Sequence, residues 1–115
     1  MKAGDIVLTF LPQADQAAKL RPAVVLCQMP PYGDLLLCGI SSQLDRAVHG
    51  FDEIIRPSDA DFRASGLRVA SVVRLGFLAT RPLSLVGGVL GKIDSQRLGR
   101  LRSQLADHLR KTIDV

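Results

Sequence analysis

The chain has 115 residues, 47% of them hydrophobic, 23% charged and 4% aromatic, with a formal net charge of +4. That length predicts one domain, residues 1–115, with a core that needs no metal or disulfide staple, and the apolar content and lack of repeats exclude disordered, collagen-like and coiled-coil classes. Eleven Arg stand against four Lys, and the absence of Trp argues against aromatic stacking platforms. Arg suits phosphate recognition, so this bias points to nucleic acid or to a GC-rich genome.

Asp5-Ile6-Val7-Leu8-Thr9-Phe10 reads as a first strand, closed by Leu11-Pro12. Gln13 to Lys19 is a polar loop without apolar periodicity. Leu20 to Cys27 resumes as a β-branched strand, with Pro22 near its entry. Pro30-Pro31-Tyr32-Gly33-Asp34 is a turn, and Leu35 to Ile40 is apolar without alternation, which predicts a strand buried on both faces. Ser41-Ser42-Gln43 closes it with polar groups.

Beyond the loop Leu44 to Gly50, Phe51 to Ile55 reads as a short strand. Ser58-Asp59-Ala60-Asp61-Phe62 predicts a capped helical turn broken by Gly66. Val69 to Leu75, Phe77 to Thr80 and Val89 to Ile93 are three further strand candidates. The one long helix lies at the end, capped by Asp94 or Ser95, with Leu98, Leu101, Leu105 and Leu109 recurring at spacings of three and four. Arg97, Arg100, Arg102, Arg110 and Lys111 lie largely off that stripe and predict a basic outer face. Short strands followed by one amphipathic helix describe a mainly β fold with α, a small barrel with a C-terminal helical cap.

The N-terminus has an acid where a signal peptide would carry its apolar stretch, and no apolar run reaches the roughly 20 residues of a membrane span. Cys27 and Cys38 lie in apolar runs without a CxxC pairing, which predicts buried free thiols and a cytoplasmic setting. His49 and His108 have no Cys, His or Asp partner at metal-ligand spacing. Gly87-Gly88-Val89-Leu90-Gly91 lacks the Lys-Ser/Thr of a P-loop. Asp52 and Glu53 are adjacent, so a strand would send them to opposite faces and separate them as an acid/base pair. One combination remains: Arg21 before Pro22 at the entry of one strand, and Ser41, Ser42 and Gln43 at the end of another. If those strands are neighbours, a guanidinium and a hydroxyl meet at the rim and can clamp a phosphate.

The arrangement resembles the MazF/PemK (Kid) toxins of bacterial toxin–antitoxin systems. The resemblance rests on Gly4-Asp5-Ile6-Val7, then Lys19-Leu20-Arg21-Pro22-Ala23-Val24-Val25-Leu26, then Ile40-Ser41-Ser42-Gln43. Ser71-Val72-Val73-Arg74-Leu75 and Leu90-Gly91-Lys92-Ile93 complete it, in family order and over nearly the whole chain. It implies an SH3-like β-barrel with a C-terminal helix. It further implies a cytoplasmic, metal- and cofactor-independent endoribonuclease that cleaves single-stranded RNA, using the RNA's own 2′-OH as nucleophile.

The resemblance assigns the general acid/base or charge-stabilising role to Arg21 and the phosphate-holding hydroxyl to Ser41, with Ser42 as a rival. Substrate contacts would fall on Lys19, Ser42, Gln43, Arg74 and Arg81. The expected partners are a cognate antitoxin with an acidic tail and a second copy in a homodimer, with DNA bound only through the antitoxin complex. Two departures stand out: Ser41 where the family usually has Thr, and Ala79 where many relatives have Arg. A non-enzymatic gyrase-binding toxin and a binding module are the alternative readings of the same barrel.

Overall fold

The structure, a computed structural model, describes residues 1–11 and 19–111. Most of the predicted loop Gln13 to Lys19, and the last four residues, lie outside them. The strands are β1 (Asp5–Leu11), β2 (Lys19–Met29), β3 (Asp34–Ser41), β4 (Glu53–Ile55), β5 (Ser71–Arg81) and β6 (Val86–Lys92). Two helices, α1 (Phe62–Ser65) and α2 (Ser95–Arg110), accompany single 3-10 turns at Leu44–Arg46 and Leu83–Leu85. All pairings are antiparallel, in the order β4-β5-β3-β2-β1-β6. The mainly β architecture with a C-terminal helix is therefore as expected. Its sheet is not closed by hydrogen bonds, because β4 and β6 end the order unpaired to each other.

Alternation along the strands builds two cores, one on each face of the sheet. Ile6, Val24, Leu26, Cys38, Ile40, Val73 and Leu75 form the first with Leu98, Leu101 and Leu105 of α2. Val7, Leu11, Ala23, Val25, Leu35 and Leu37 form the second, joined by Phe77, Ala79 and Val86. The unbroken apolar run of β3 is thereby explained: Leu36, Cys38 and Ile40 face one core, Leu35 and Leu37 the other.

Helix α2 starts where its cap predicts, the Asp94 carboxylate accepting from the Arg97 N–H at 2.7 Å. Its Leu stripe is buried only in part, since Leu109, past the sheet, is 72% exposed. The basic outer face holds for Arg100, Arg102, Arg110 and Lys111, which are exposed, and Arg97 is the correction. Arg97 is buried, Arg100 pairs with Glu53 at 3.0 Å, and Arg102 donates to the Leu26 carbonyl at 2.9 Å. That carbonyl sits in the β2 bulge between Val25 and Cys27, so Arg102 supplies a donor where the ladder is irregular.

Other boundaries shift for physical reasons. Val69 to Leu75 and Phe77 to Thr80 are not separate strands but the two arms of β5, which carries an irregularity between them. β6 begins at Val86 and runs through Gly87-Gly88, where pairing with β1 continues despite a register shift. The helical turn begins at Phe62 rather than at Ser58, because the Asp59 carboxylate accepts from Arg56 N–H and Asp61 turns to Arg97. Gly66 closes α1 at φ +74°, and a Cβ there would collide with the Leu90 carbonyl of β6. Cys38 is buried as expected, whereas Cys27 is only half-buried, and both are free thiols.

Candidate active site

Pro22 lies three residues inside β2 and has no N–H to give. The hydrogen-bonded register between β2 and β3 ends beside it, at Ala23–Gly39. Continued for two residues, that register places Arg21 across from Ser41, and the strand alternation puts both on the face of Ala23 and Gly39. On the other side of Arg21 stands Thr9, its register partner in β1. Gly39 also pairs with Arg74 of β5, and Ser41 with Val72, so Arg74 lies diagonally from Ser41. Such diagonal neighbours are about 7–8 Å apart, within reach of a long side chain. Thus Arg21, Ser41 and Arg74 share one face at one end of three adjacent strands.

The remaining predicted residues distribute around this end. Lys19 is exposed at the start of β2, opposite Leu11. Ser42 and Gln43 are exposed beyond β3, and the Gln43 N–H donates to Ser41 Oγ at 3.1 Å. Arg81 sits at the other end of β3, paired with Leu35, yet the curl of β5 carries it toward β1. Its Nε donates to the Phe10 carbonyl at 3.4 Å and its Nη1 to the Thr80 carbonyl at 2.8 Å. Phe10 pairs with Leu20, the residue between Lys19 and Arg21, so Arg81 enters the same neighbourhood from across β1. Ala79, where the resemblance expects Arg, packs against the second core opposite Leu37.

Three neighbours of this face carry no motif. Gly39 lets the Phe77 ring lie against the β3 backbone, where a Cβ would come within 3.0 Å of Phe77 Cδ2. Thr9 is buried and its hydroxyl donates to the Leu85 carbonyl at 3.0 Å, fixing the wall beside Arg21. Asp52 accepts from the Leu75 N–H at 2.9 Å within the irregular part of β5. A strand pattern alone gives no sign of these, because each acts through a partner distant in sequence. The adjacent carboxylates diverge as expected: Asp52 serves β5, while Glu53 faces Arg97 and Arg100. His108 packs on Phe51, ring centroids 4.9 Å apart.

Chemically, the end of the β2–β3–β5 face joins guanidinium groups and a hydroxyl. Guanidinium forks bind phosphate oxygens bidentately, and a hydroxyl adds a donor that can follow a changing geometry. The arrangement is an open, antiparallel β-barrel sheet with a helical cap and a cationic rim.

Residues 2–109 match the family described as PemK-like, MazF-like toxin of type II toxin-antitoxin system. The chain belongs to this family of toxins. Among solved structures it is similar to the Mycobacterium tuberculosis toxin MazF-mt6, at 19% sequence identity and a TM-score of 0.65. That likeness covers 91% of this chain and 95% of the other, and shows a shared fold. No curated protein matches the chain. Membership in a type II family implies a cognate antitoxin as partner. No helix among the described residues is long and apolar enough to cross a membrane.

Proposed function

We propose that this toxin is an endoribonuclease of single-stranded RNA, mRNA included, that arrests growth from within the cytoplasm. What supports this reading is the β2–β3 register, which continued two residues beyond Ala23–Gly39 brings Arg21 opposite Ser41, with Arg74 diagonal to Ser41 on the same face. Family membership supports it.

In the proposed reaction the RNA 2′-oxygen attacks the adjacent phosphorus and loses its proton, and the bond to the 5′-oxygen breaks as that oxygen gains one. The products are a 2′,3′-cyclic phosphate and a 5′-hydroxyl, so no external water enters this step. Arg21 stabilises the charge that builds on the non-bridging oxygens and stands near the leaving oxygen. A guanidinium does not give up its proton near neutral pH, so Arg21 acts by charge and hydrogen bonding rather than as a base. Ser41 holds the scissile phosphate, and Lys19, Ser42, Gln43, Arg74 and Arg81 bind the flanking backbone. The active form is a homodimer, neutralised by an antitoxin with an acidic tail, and DNA is bound only through the antitoxin complex.

The test is incubation of the purified protein with mixed-sequence single-stranded RNA in EDTA. The expected result is cleavage leaving cyclic-phosphate ends, abolished in Arg21→Ala. Intact RNA, or an Arg21→Ala variant as active as wild type, would overturn the reading. Gyrase binding by an RNA-inactive protein would instead support the non-enzymatic alternative.

A further inference from the structure

The pairing of β5 with β3 contains a wide irregularity. Gly39 pairs with Arg74 and Cys38 with Leu78, so Leu75, Gly76 and Phe77 bulge out between two adjacent residues of β3. Bulges of this kind re-aim the side chains on either side. Here one side is Arg74, and the other sends the Phe77 ring over Gly39, next to Ala23 and the Arg21–Ser41 row. A bulge also strips N–H groups of their ladder partners, and one of them, Leu75 N–H, is taken up by Asp52 Oδ1 at 2.9 Å.

The second oxygen of Asp52 does different work. Oδ2 accepts from the Val48 N–H at 2.9 Å, closing the loop that leaves Ser41. Between them the loop is held by its own turns: Gln43 N–H to Ser41 Oγ, Arg46 N–H to the Gln43 carbonyl and Ala47 N–H to the Leu44 carbonyl. The Asp52 N–H returns a bond to the Val48 carbonyl at 2.9 Å. One carboxylate thus joins the loop carrying Ser42 and Gln43 to the bulge that aims Arg74, across 23 residues of sequence.

We propose that Asp52 is a positioning residue, whose two carboxylate oxygens set the Ser41–Gln43 loop and the Arg74 bulge in register with each other at the cationic rim. It touches no reacting atom. The proposal rests on the nuclease reading for its catalytic consequence, but its structural content stands apart from it. Displacing catalytic groups by about 1 Å can lower a rate about a hundredfold, so Asp52→Ala is expected to lower kcat by about tenfold or more. KM for a short RNA should rise as well, because Ser42, Gln43 and Arg74, which bind the flanking backbone, move with the loop and the bulge. Asp52→Asn keeps one acceptor oxygen and should fall between Ala and wild type. Asp107→Ala, at an exposed ion pair on α2, should leave cleavage unchanged.

The experiment combines single-turnover cleavage with two-dimensional amide and Arg Nε–H spectra of the full chain. The expected result is reduced kcat together with displaced resonances of Ser41, Ser42, Gln43 and Arg74, while the Leu101 amide in the main core stays in place. A folded Asp52→Ala variant with wild-type kcat, or with unmoved rim resonances, overturns the proposal. If the Ala variant does not fold, Asp52→Asn decides: an intermediate kcat with shifted rim resonances supports it, wild-type values overturn it. If wild type cleaves no RNA, the nuclease reading fails, and the spectra alone decide whether Asp52 joins the two segments.

Discussion

Arg97 grips both carboxylate oxygens of Asp61: its Nε donates to Oδ2 at 2.9 Å and its Nη2 to Oδ1 at 3.0 Å. The same guanidinium donates to Asp59 at 3.0 Å, to Glu53 at 3.2 Å and to the Ile54 carbonyl at 3.0 Å. A single side chain of α2 therefore ties the helix to α1's approach and to the edge strand β4, whose carbonyl it covers. Removing it would strand Asp61, itself 5% exposed, as an unpaired buried charge. Breaking a buried pair from one side is worth about 3–5 kcal/mol, so Arg97→Ala should unfold at markedly lower urea concentration. An unchanged urea midpoint would show that the cluster does not anchor α2.

The acid limb of stability follows from the same cluster. Burial works to raise the Asp61 carboxyl, but hydrogen bonds from Arg97 and the Asp94 N–H, with the Arg97 charge, hold it below the usual carboxylate range. Asp59 is lowered chiefly by the Arg56 N–H, with Arg97 adding to it. Both groups thus bind protons less readily folded than unfolded. Their stabilisation is complete above the ordinary carboxylate value of about 3.9 and is lost as pH falls through the lower folded values. Urea midpoints should therefore drop between about pH 5 and about pH 2, and drop less in Asp61→Asn. Equal slopes in both proteins would refute the assignment.

Much of this fold is legible in the residues because the local signals agree with the packing. The unbroken LLLCGI run announces a strand between two cores, and Asp94 with the Leu stripe marks the start and inner face of α2. The Arg-Pro and Ser-Ser-Gln segments mark the rim, although only the β2–β3 register, continued past Ala23–Gly39, brings Arg21 and Ser41 opposite each other. What stays illegible depends on distant partners. Arg97 is off the Leu stripe and looks like solvent-facing charge until Asp59, Asp61 and Glu53 arrive from other elements. Phe77 lies just beyond Gly76, which makes β5 look like two strands, whereas the bulge keeps both arms paired with β3.

The hydroxyl assignment can be separated by alternation. Ser41 ends β3 on the Arg21 face, whereas Ser42 is exposed one residue beyond the strand. Ser41→Ala should therefore lower RNA cleavage more than Ser42→Ala, and Ser41→Thr, which keeps the hydroxyl, should retain it. Loss of one donor to a developing oxyanion lowers kcat by about 10²–10³. Rate constants of the three variants at saturating RNA check this, and a larger loss in Ser42→Ala would transfer the role to that residue.

The two thiols should differ sharply. Burial pushes Cys38 up to about 12, whereas Cys27 is half-buried beside Met29, their sulfurs 3.7 Å apart. At about pH 8 a thiol titrating near 12 is only about 10⁻⁴ thiolate, and only the thiolate reacts. Iodoacetamide should modify Cys27 in the native protein and both cysteines in urea, as read by peptide mass spectrometry. Native labelling of Cys38 at the rate of Cys27 would mean that the first core opens readily.

Gly39 offers a test of the packing beneath the rim. A Cβ there would stand 3.0 Å from Phe77 Cδ2 and 3.3 Å from Phe77 Cγ, so the ring must move or β3 must bend. Overpacking a filled site destabilises by about 1–3 kcal/mol, which is the loss expected for Gly39→Ala. The ring is the obstacle, so the same substitution in a Phe77→Ala background should be milder, and the two changes should couple in a double-mutant cycle. Because Gly39 pairs with both Ala23 and Arg74, a displaced ring also disturbs the face that carries Arg21 and Ser41. Cleavage by Gly39→Ala should accordingly fall even at temperatures where the variant is fully folded. Additive urea midpoints in the cycle, with unaltered cleavage, would show that Phe77 does not support this face.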